Sequence, residues 1–281
     1  MIITKIKGGL GNQLFQYAVG RAVALHHKVP LKLDLTIFET YKLHNGYRLD
    51  QFAIQADIAT KNEIINLKGG NNALFSALRK AGLVKRKSYF KEKRSSYFDA
   101  NVFENKFVYL DGYWQNELYF SDIRELLLRE LSPISLMNDS GCVYLERIKN
   151  SNSVSLHVRR GDYLKLKNIG VLDVDYYMKA VQYIRKNVEK PTFYIFSDDL
   201  EWCKRHLGFV DGCIYVDRTQ NEIDDLKLMS FCQHNIIANS SFSWWGAWLN
   251  QNPERIVIAP KGWLLNDPGS SNVILPDWVK F

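Results

Sequence analysis

The alternation of short apolar runs with helix-period segments in the second half of the chain limits its fold more than any other feature. SVSLHV (153–158), TFYIFS (192–197), CIYV (213–216), NIIA (235–238) and IVIA (256–259) read as strands. Helices lie between them. The clearest is 173–188, where Tyr177, Ala180, Val181, Ile184 and Val188 recur at spacings of three and four and form one apolar face. Asp173 or Asp175 caps its start. Continuous apolar strands separated by helices imply βαβ units, and hence a parallel sheet covered on both faces.

The first half begins the same way, with strand IITKIK, a glycine turn, a helix from about Asn12 to His27 and strand LKLDL (31–35). Beyond this the pattern weakens. KRSSYFDANVFENK is polar and irregular, although KFVYLDG (106–112) and NELYFSDIRELLLREL (116–131) read as a strand and a helix. Pro133, Asn138, Asp139, Ser140 and Gly141 cluster as turn formers, so a domain boundary is expected within 132–152, dividing 1–140 from 141–281. A length of 281 residues fits two domains of roughly 100–200 residues each. The expected architecture is α/β: two facing Rossmann-like domains with a cleft at the carboxyl ends of their strands, where open α/β sheets hold ligands.

With 46% hydrophobic and 24% charged residues, the chain is neither disordered nor fibrous. Its four cysteines lack CxxC or zinc-ligand spacing and read as reduced thiols of a cytoplasmic protein. The N-terminus is too polar for a signal peptide, and no apolar run reaches the roughly 18 residues of a membrane span. The net charge of +7 resides in residues 79–94, which hold eight Lys or Arg against one Glu; the rest balances, 29 against 29. Such a run is either a solvated face or a peripheral contact with an anionic membrane surface. No nucleic-acid-binding motif accompanies it, so nucleic acid is not expected as a partner.

Three motifs carry chemistry. In KGGLGNQLFQYA, Gly8, Gly9 and Gly11 permit close approach of backbone to a ligand, or simply a tight strand-to-helix turn. Leu14 stands where a dinucleotide fingerprint starting at Gly9 needs a small residue, and the Walker lysine is absent. In HVRRGDY, a strand surfaces into two arginines. Either Arg160 and Asp162 form a salt bridge that pins the loop, or the pair binds phosphate, whose geometry a guanidinium matches with two parallel bonds. In IIANSSFSWWGAWLN, Trp244 and Trp248 read as core, whereas Ser240 and Ser241 cap a helix and aim hydroxyls and N–H groups at an anion. DVD (173–175) resembles a metal-binding DxD but opens an amphipathic helix, where Asp is an ordinary cap. SDD (197–199) likewise ends a strand and starts a helix.

Together, GGLGNQLFQYA, HVRRGDY and SSFSWWGAWL resemble the α-1,2-fucosyltransferases of glycosyltransferase family 11, especially their soluble bacterial members. The resemblance implies a GT-B-like architecture of two Rossmann-like domains, GDP-β-L-fucose as donor, a terminal β-galactoside as acceptor, inversion, and no metal or other cofactor. It also implies residue roles. Arg159 holds the donor β-phosphate, with Arg160 secondary and Asp162 in the same loop. His157 and Asp225, with Asp224 adjacent, contact guanine. Ser240, Ser241 and Phe242 line the diphosphate and fucose, and Asn12, with Gly9, Gly11 and Gln13, faces the cleft from the acceptor side. No general base is assigned. Rival readings are a transferase using another nucleotide sugar, and a non-catalytic carbohydrate- or nucleotide-binding protein.

Overall fold

The computed structural model describes all residues except 41–43, 70–76, 78–80, 82–87, 167–168, 218, 220 and 266. Much of the basic segment 79–94 therefore lies outside the described residues. The chain divides into two compact units, Met1–Ser132 and Pro133–Phe281.

In the first unit, strands β1 (Ile2–Lys5), β2 (Leu31–Asp34), β3 (Asp57–Ile58), β4 (Tyr89–Lys91) and β5 (Val108–Asp111) form a parallel sheet of order β3-β2-β1-β5-β4. Helix α1 (Leu10–His27) returns the chain from β1 to β2 and is buried on nearly every side. Its Gly20 lies against β1: a Cβ there would fall 2.2 Å from Thr4 Oγ1, so only glycine allows this approach. Lys28, in the left-handed region at φ 52°, ends the helix by donating its N–H to the carbonyls of Ala24 and Leu25. Helices α2 (Lys61–Lys68) and α3 (Arg124–Glu130) complete the unit. The helix expected over 116–131 is broken. Residues 117–119 and 121–123 are 3₁₀ turns, the first opened by Asn116, whose side chain accepts from Leu118 N at 3.0 Å.

The second unit holds β6 (Ser153–Val158), β7 (Thr192–Ser197), β8 (Ile214–Tyr215), β9 (His234–Ile236), β10 (Val257–Ala259) and β11 (Val279–Lys280). They form a parallel sheet of order β11-β10-β9-β6-β7-β8. All six residues of β6 are buried. Helix α5 (Val174–Asn187) lays Tyr177, Ala180, Val181 and Ile184 on Val154, Leu156, Phe193 and Ile195. On the opposite face, Tyr194 and Phe196 meet Tyr144 and Ile148 of α4 (Asp139–Lys149) and Leu228 and Met229 of α7 (Glu222–Phe231). The two-residue alternation along β7 thus feeds two separate cores, each large side chain contributing about 1.5–3 kcal/mol. Helix α6 (Leu200–His206) follows β7. Helix α8 (Ser241–Trp248) follows β9 and buries Trp244, Trp245 and Trp248 completely. Trp244 donates its indole N–H to Val273 O at 2.7 Å, so the tryptophans are core.

The division falls at Ser132, not at 140 as the turn formers suggested. Asn138 is the N-cap of α4, accepting from Gly141 N at 2.7 Å, so that cluster begins a helix of the second unit. Among the described residues no helix is long and apolar enough to cross a membrane.

In each sheet the strand order reverses at one point, between β1 and β5 and between β6 and β9. In an open α/β sheet the carboxyl side of such a point is the natural ligand crevice. Two of the three motifs flank the second reversal; the glycine turn flanks the first.

Candidate functional site

Register builds the arginine loop. His157 pairs with Phe196 and Val158 with Ser197, so the next residues, Arg159 and Asp198, emerge side by side from adjacent parallel strands. Arg159 Nη2 lies 2.7 Å from Asp162 Oδ1 and its Nε 3.3 Å from Asp198 Oδ2. Arg160 takes another partner: its Nε is 3.5 Å from Asp199 Oδ2, its guanidinium carbon sits 4.0 Å from the Trp202 ring centroid, and its backbone N–H donates to Asp198 at 2.9 Å. The salt bridge expected between Arg160 and Asp162 is therefore formed by Arg159 instead. Residues 162–165 turn as a 3₁₀ helix, and the turn at Gly161 that opens it brings Arg159 and Asp162 together as an i,i+3 pair. Gly161 is required here, because a Cβ would lie 2.7 Å from Asp198 Oδ2.

SDD therefore serves two ends. Asp199 caps α6, accepting from Trp202 N at 3.0 Å, and Asp198 anchors the arginine loop. Trp202 was not singled out from the sequence, and Asp198 only within SDD, where capping competed with a site role. The signal for Asp198 was the alignment of two strand ends, which needs the register.

His157 is 4% exposed, and its Nδ1 has no partner among the described residues. Burial, with the nearby Arg159 charge, pushes its pKa down to about 3, so the imidazole is neutral. Its ring centroid lies 5.8 Å from that of Phe242, across the β6–β9 reversal. Asn239 Oδ1 is a second buried acceptor without a partner there, while its amide holds Gly170 O at 2.8 Å. Tyr163 crosses the same gap, donating to Asn239 O at 3.3 Å. Ser240 is the N-cap of α8; its Oγ accepts from Phe242 N at 3.3 Å and it is 4% exposed. That hydroxyl is turned toward its own helix, so Ser241 and Phe242, both partly exposed, are the more open members of the motif.

Asp225 lies on α7, where Thr219 Oγ1 donates to it at 2.7 Å. Burial, reinforced by Asp224 and Glu222, pushes its pKa up to about 6. Asp224, 4% exposed, points into the unit. Asp173 accepts from Tyr176 N at 2.9 Å as the N-cap of α5, the ordinary role DVD offered. Among the described residues no three His, Cys, Asp or Glu side chains gather as a metal site requires.

In the first unit, Gly9 is the N-cap of α1, with no side chain capping that end, and Gly11 is already inside the helix. Gln13 is fully buried. Its amide donates to Gly8 O and Gly46 O, both at 2.9 Å, and its oxygen accepts from Arg48 N at 3.0 Å. Gln13 therefore staples a loop and is no open ligand contact, a correction to its expected place on the acceptor side. Asn12 is partly exposed and accepts from Gln115 Nε2 at 2.7 Å, joining the loops after β1 and β5.

Residues 84–281 match the model of glycosyl transferase family 11. An α-1,2-colitosyltransferase of Escherichia coli is 34% identical over 290 residues, covering 100% of this chain and 98% of that protein. The O-antigen biosynthesis glycosyltransferase WbnK of Escherichia coli is 32% identical, with 98% of each chain covered. Human galactoside α-(1,2)-fucosyltransferase 1 is 26% identical over 191 residues, 62% of this chain and 52% of that one. Among solved structures, Arabidopsis thaliana FUT1 in complex with GDP superposes with a TM-score of 0.53 at 13% identity, covering 91% of this chain and 69% of that one. POFUT1 in complex with GDP gives 0.52 at 12% identity, covering 92% and 97%. At such identities the likeness is one of fold.

Proposed function

The chain belongs to glycosyl transferase family 11, and from that premise we propose that it moves L-fucose from GDP-β-L-fucose to the 2-hydroxyl of a terminal β-galactoside, with inversion and without a metal. The observation that carries this reading is the pair of arginines at the sheet's reversal point, beside a neutral, buried histidine whose Nδ1 lacks a partner. Breaking the fucose C1–O bond builds positive charge on the sugar and negative charge on departing GDP. A fixed cation must take up that negative charge, and Arg159 at the strand end is suited to do so. Its Nε and Nη2 face Asp198 and Asp162, and its side chain keeps 24% exposure, so a diphosphate would meet a guanidinium already held in place. A neutral His157 can exchange a hydrogen bond with a purine edge, and ionised Asp225 can accept from guanine N–H groups. Ser241 and Phe242 would line the sugar, and Asn12 would face the acceptor. The setting that fits is the cytoplasmic assembly of a bacterial surface polysaccharide.

A second donor is favoured by one finding, the 34% identical relative named for colitosyl transfer. Colitose is the 3-deoxy analogue of fucose, so the two readings differ by one hydroxyl. The purified chain is to be incubated with GDP-fucose or GDP-colitose and a panel of β-galactosides, following GDP release. Faster release from GDP-fucose supports the first reading. A preference for GDP-colitose installs the second, and release from neither, with UDP protecting the fold as well as GDP, sinks both.

A further inference from the structure

At the carboxyl edge of the first unit, the segments following β4 and β5 enclose a cavity of about 180 Å³ that none of the three motifs touches. Its walls are Phe90, Tyr97, Phe98, Trp114 and Tyr119, with the carboxylates Glu92 and Asp99 and the cations Lys93 and Arg94 also lining it. The rings meet at angles. Phe98 and Tyr119 lie 4.9 Å apart between centroids, Trp114 and Tyr119 5.6 Å, and Phe90 and Trp114 6.0 Å. Phe98 is 41% exposed and forms an open rim, whereas Trp114 is fully buried.

One polar group in these walls, Glu92, has capacity to spare. Glu92 accepts from Tyr113 N at 2.6 Å and from Trp114 N at 2.9 Å, one bond to each oxygen, which occupies about half of a carboxylate's roughly four acceptor positions. Gly112 makes this possible, since a Cβ there would lie 2.5 Å from Glu92 Cβ. The indole N–H of Trp114 is buried and has no partner among the described residues. With Trp114 at 0% exposure, this donor lies behind the cavity wall and out of reach of a ligand. The two cations at the mouth are engaged: Lys93 pairs with Asp99 at 3.7 Å, and Arg94 stacks on Tyr97 at 4.1 Å.

We propose that this cavity is a subsite for one hexopyranose ring of the acceptor, its apolar C–H face resting on Phe98 and the accessible faces of Phe90 and Tyr97 and its hydroxyls meeting Glu92. The size excludes larger ligands: 180 Å³ is well below the roughly 300 Å³ at which drug-sized pockets begin, so neither a nucleotide nor a second ring fits. The chemistry excludes phosphate, which Glu92 would repel. A sugar ring needs both halves of what is present, aromatic faces for its C–H bonds and a fixed acceptor for its hydroxyls. The assignment of the ring to an acceptor rests on the transferase reading; that a sugar ring occupies the cavity does not.

The test is saturation-transfer difference NMR of the full chain with methyl β-D-galactoside, and in parallel with the β-glucoside and β-N-acetylglucosaminide. At least one should receive saturation through its ring protons. Phe98→Ala should abolish that signal and raise acceptor KM by about ten-fold or more, whereas Trp114→Phe, which alters only the buried layer behind the wall, should keep it. GDP should still raise the melting temperature of both variants. Should Trp114→Phe fail to fold, the exposed Phe98→Ala decides alone. Absence of a signal from all three hexosides with the wild-type chain overturns the proposal, as does an undiminished signal in Phe98→Ala. Failure of GDP and GDP-fucose to protect the wild-type chain would instead overturn the transferase reading and leave the saccharide result standing.

Discussion

The carboxyl edges of the two sheets are built on opposite principles. In the second unit the loops after β6 and β7 are held by charge: Arg159 and Arg160 are set among Asp162, Asp198 and Asp199. In the first, the loops after β4 and β5 are held by rings and backbone, with Glu92 fixing Tyr113 and Trp114, and Tyr119 donating to Tyr97 O at 2.8 Å. Trp114 at φ 59° and Ser96 at φ 65° are both non-glycine residues in the left-handed region, a cost of order 1–3 kcal/mol each. One edge is fixed by opposed charges; the other is fixed by ring packing and backbone bonds. The difference teaches that a shared βα architecture leaves each loop set free to choose its own physics.

The sharpest way to break this contrast is at Arg159. Arg159→Ala should lower the transfer rate by at least 10²–10³-fold, and Arg159→Lys should also fail, because a compact ammonium cannot keep two directed bonds at once. The measurement is GDP release under saturating donor, and near wild-type turnover in the alanine variant would remove the leaving-group role.

How far this edge was legible follows from the same residues. The apolar run to His157, the two arginines and the serine cap were all readable, because each is a local pattern. Asp198 was not: its pairing with Arg159 depends on β6 and β7 lying in register, a relation between residues about forty apart in sequence. The partner of Asp162 proved to be Arg159, three residues away across the turn at Gly161, while Arg160 pairs with Asp199. In the first unit, β3 and β4 are two or three residues long and several turns are 3₁₀, too short for any periodicity to register. The aromatic cavity was invisible because its rings belong to two loops that only the sheet brings together. Gln13 looked like a ligand contact because a loop-stapling amide and a ligand-binding one are the same residue in a glycine turn.

A middle-sized effect should come from Asp225. Its pKa is raised to about 6 in the folded chain against about 3.9 when unfolded, so the folded state prefers the protonated form. Stability is unaffected below about pH 4, falls as pH rises from about 4 to 6, and stays reduced above that, by at most about 3 kcal/mol. Asp225→Asn should therefore raise the melting temperature at pH 7.5 and have little effect at pH 4, while weakening GDP binding. Equal melting temperatures at pH 7.5 would show that the carboxylate is not under this strain. A stabilised variant with unaltered GDP affinity would remove the guanine contact.

The smallest effect is expected at Asp173. Loss of its cap on α5 should cost about 1 kcal/mol in urea denaturation, with turnover unchanged in Asp173→Ala and with EDTA leaving the wild-type rate intact. Loss of activity in EDTA, restored by Mn²⁺, would return DVD to the metal-binding reading and add a second charge device to this unit.

Arg160 is pressed against Trp202, which itself stacks on His206 with centroids 4.6 Å apart and planes 14° from parallel. A free arginine side chain carries about 2 kcal/mol of rotamer entropy. Here that freedom is surrendered when the chain folds, long before an anion arrives. Association then meets a guanidinium that is already still, and the affinity of this edge for its ligand is set partly by an indole that never touches it.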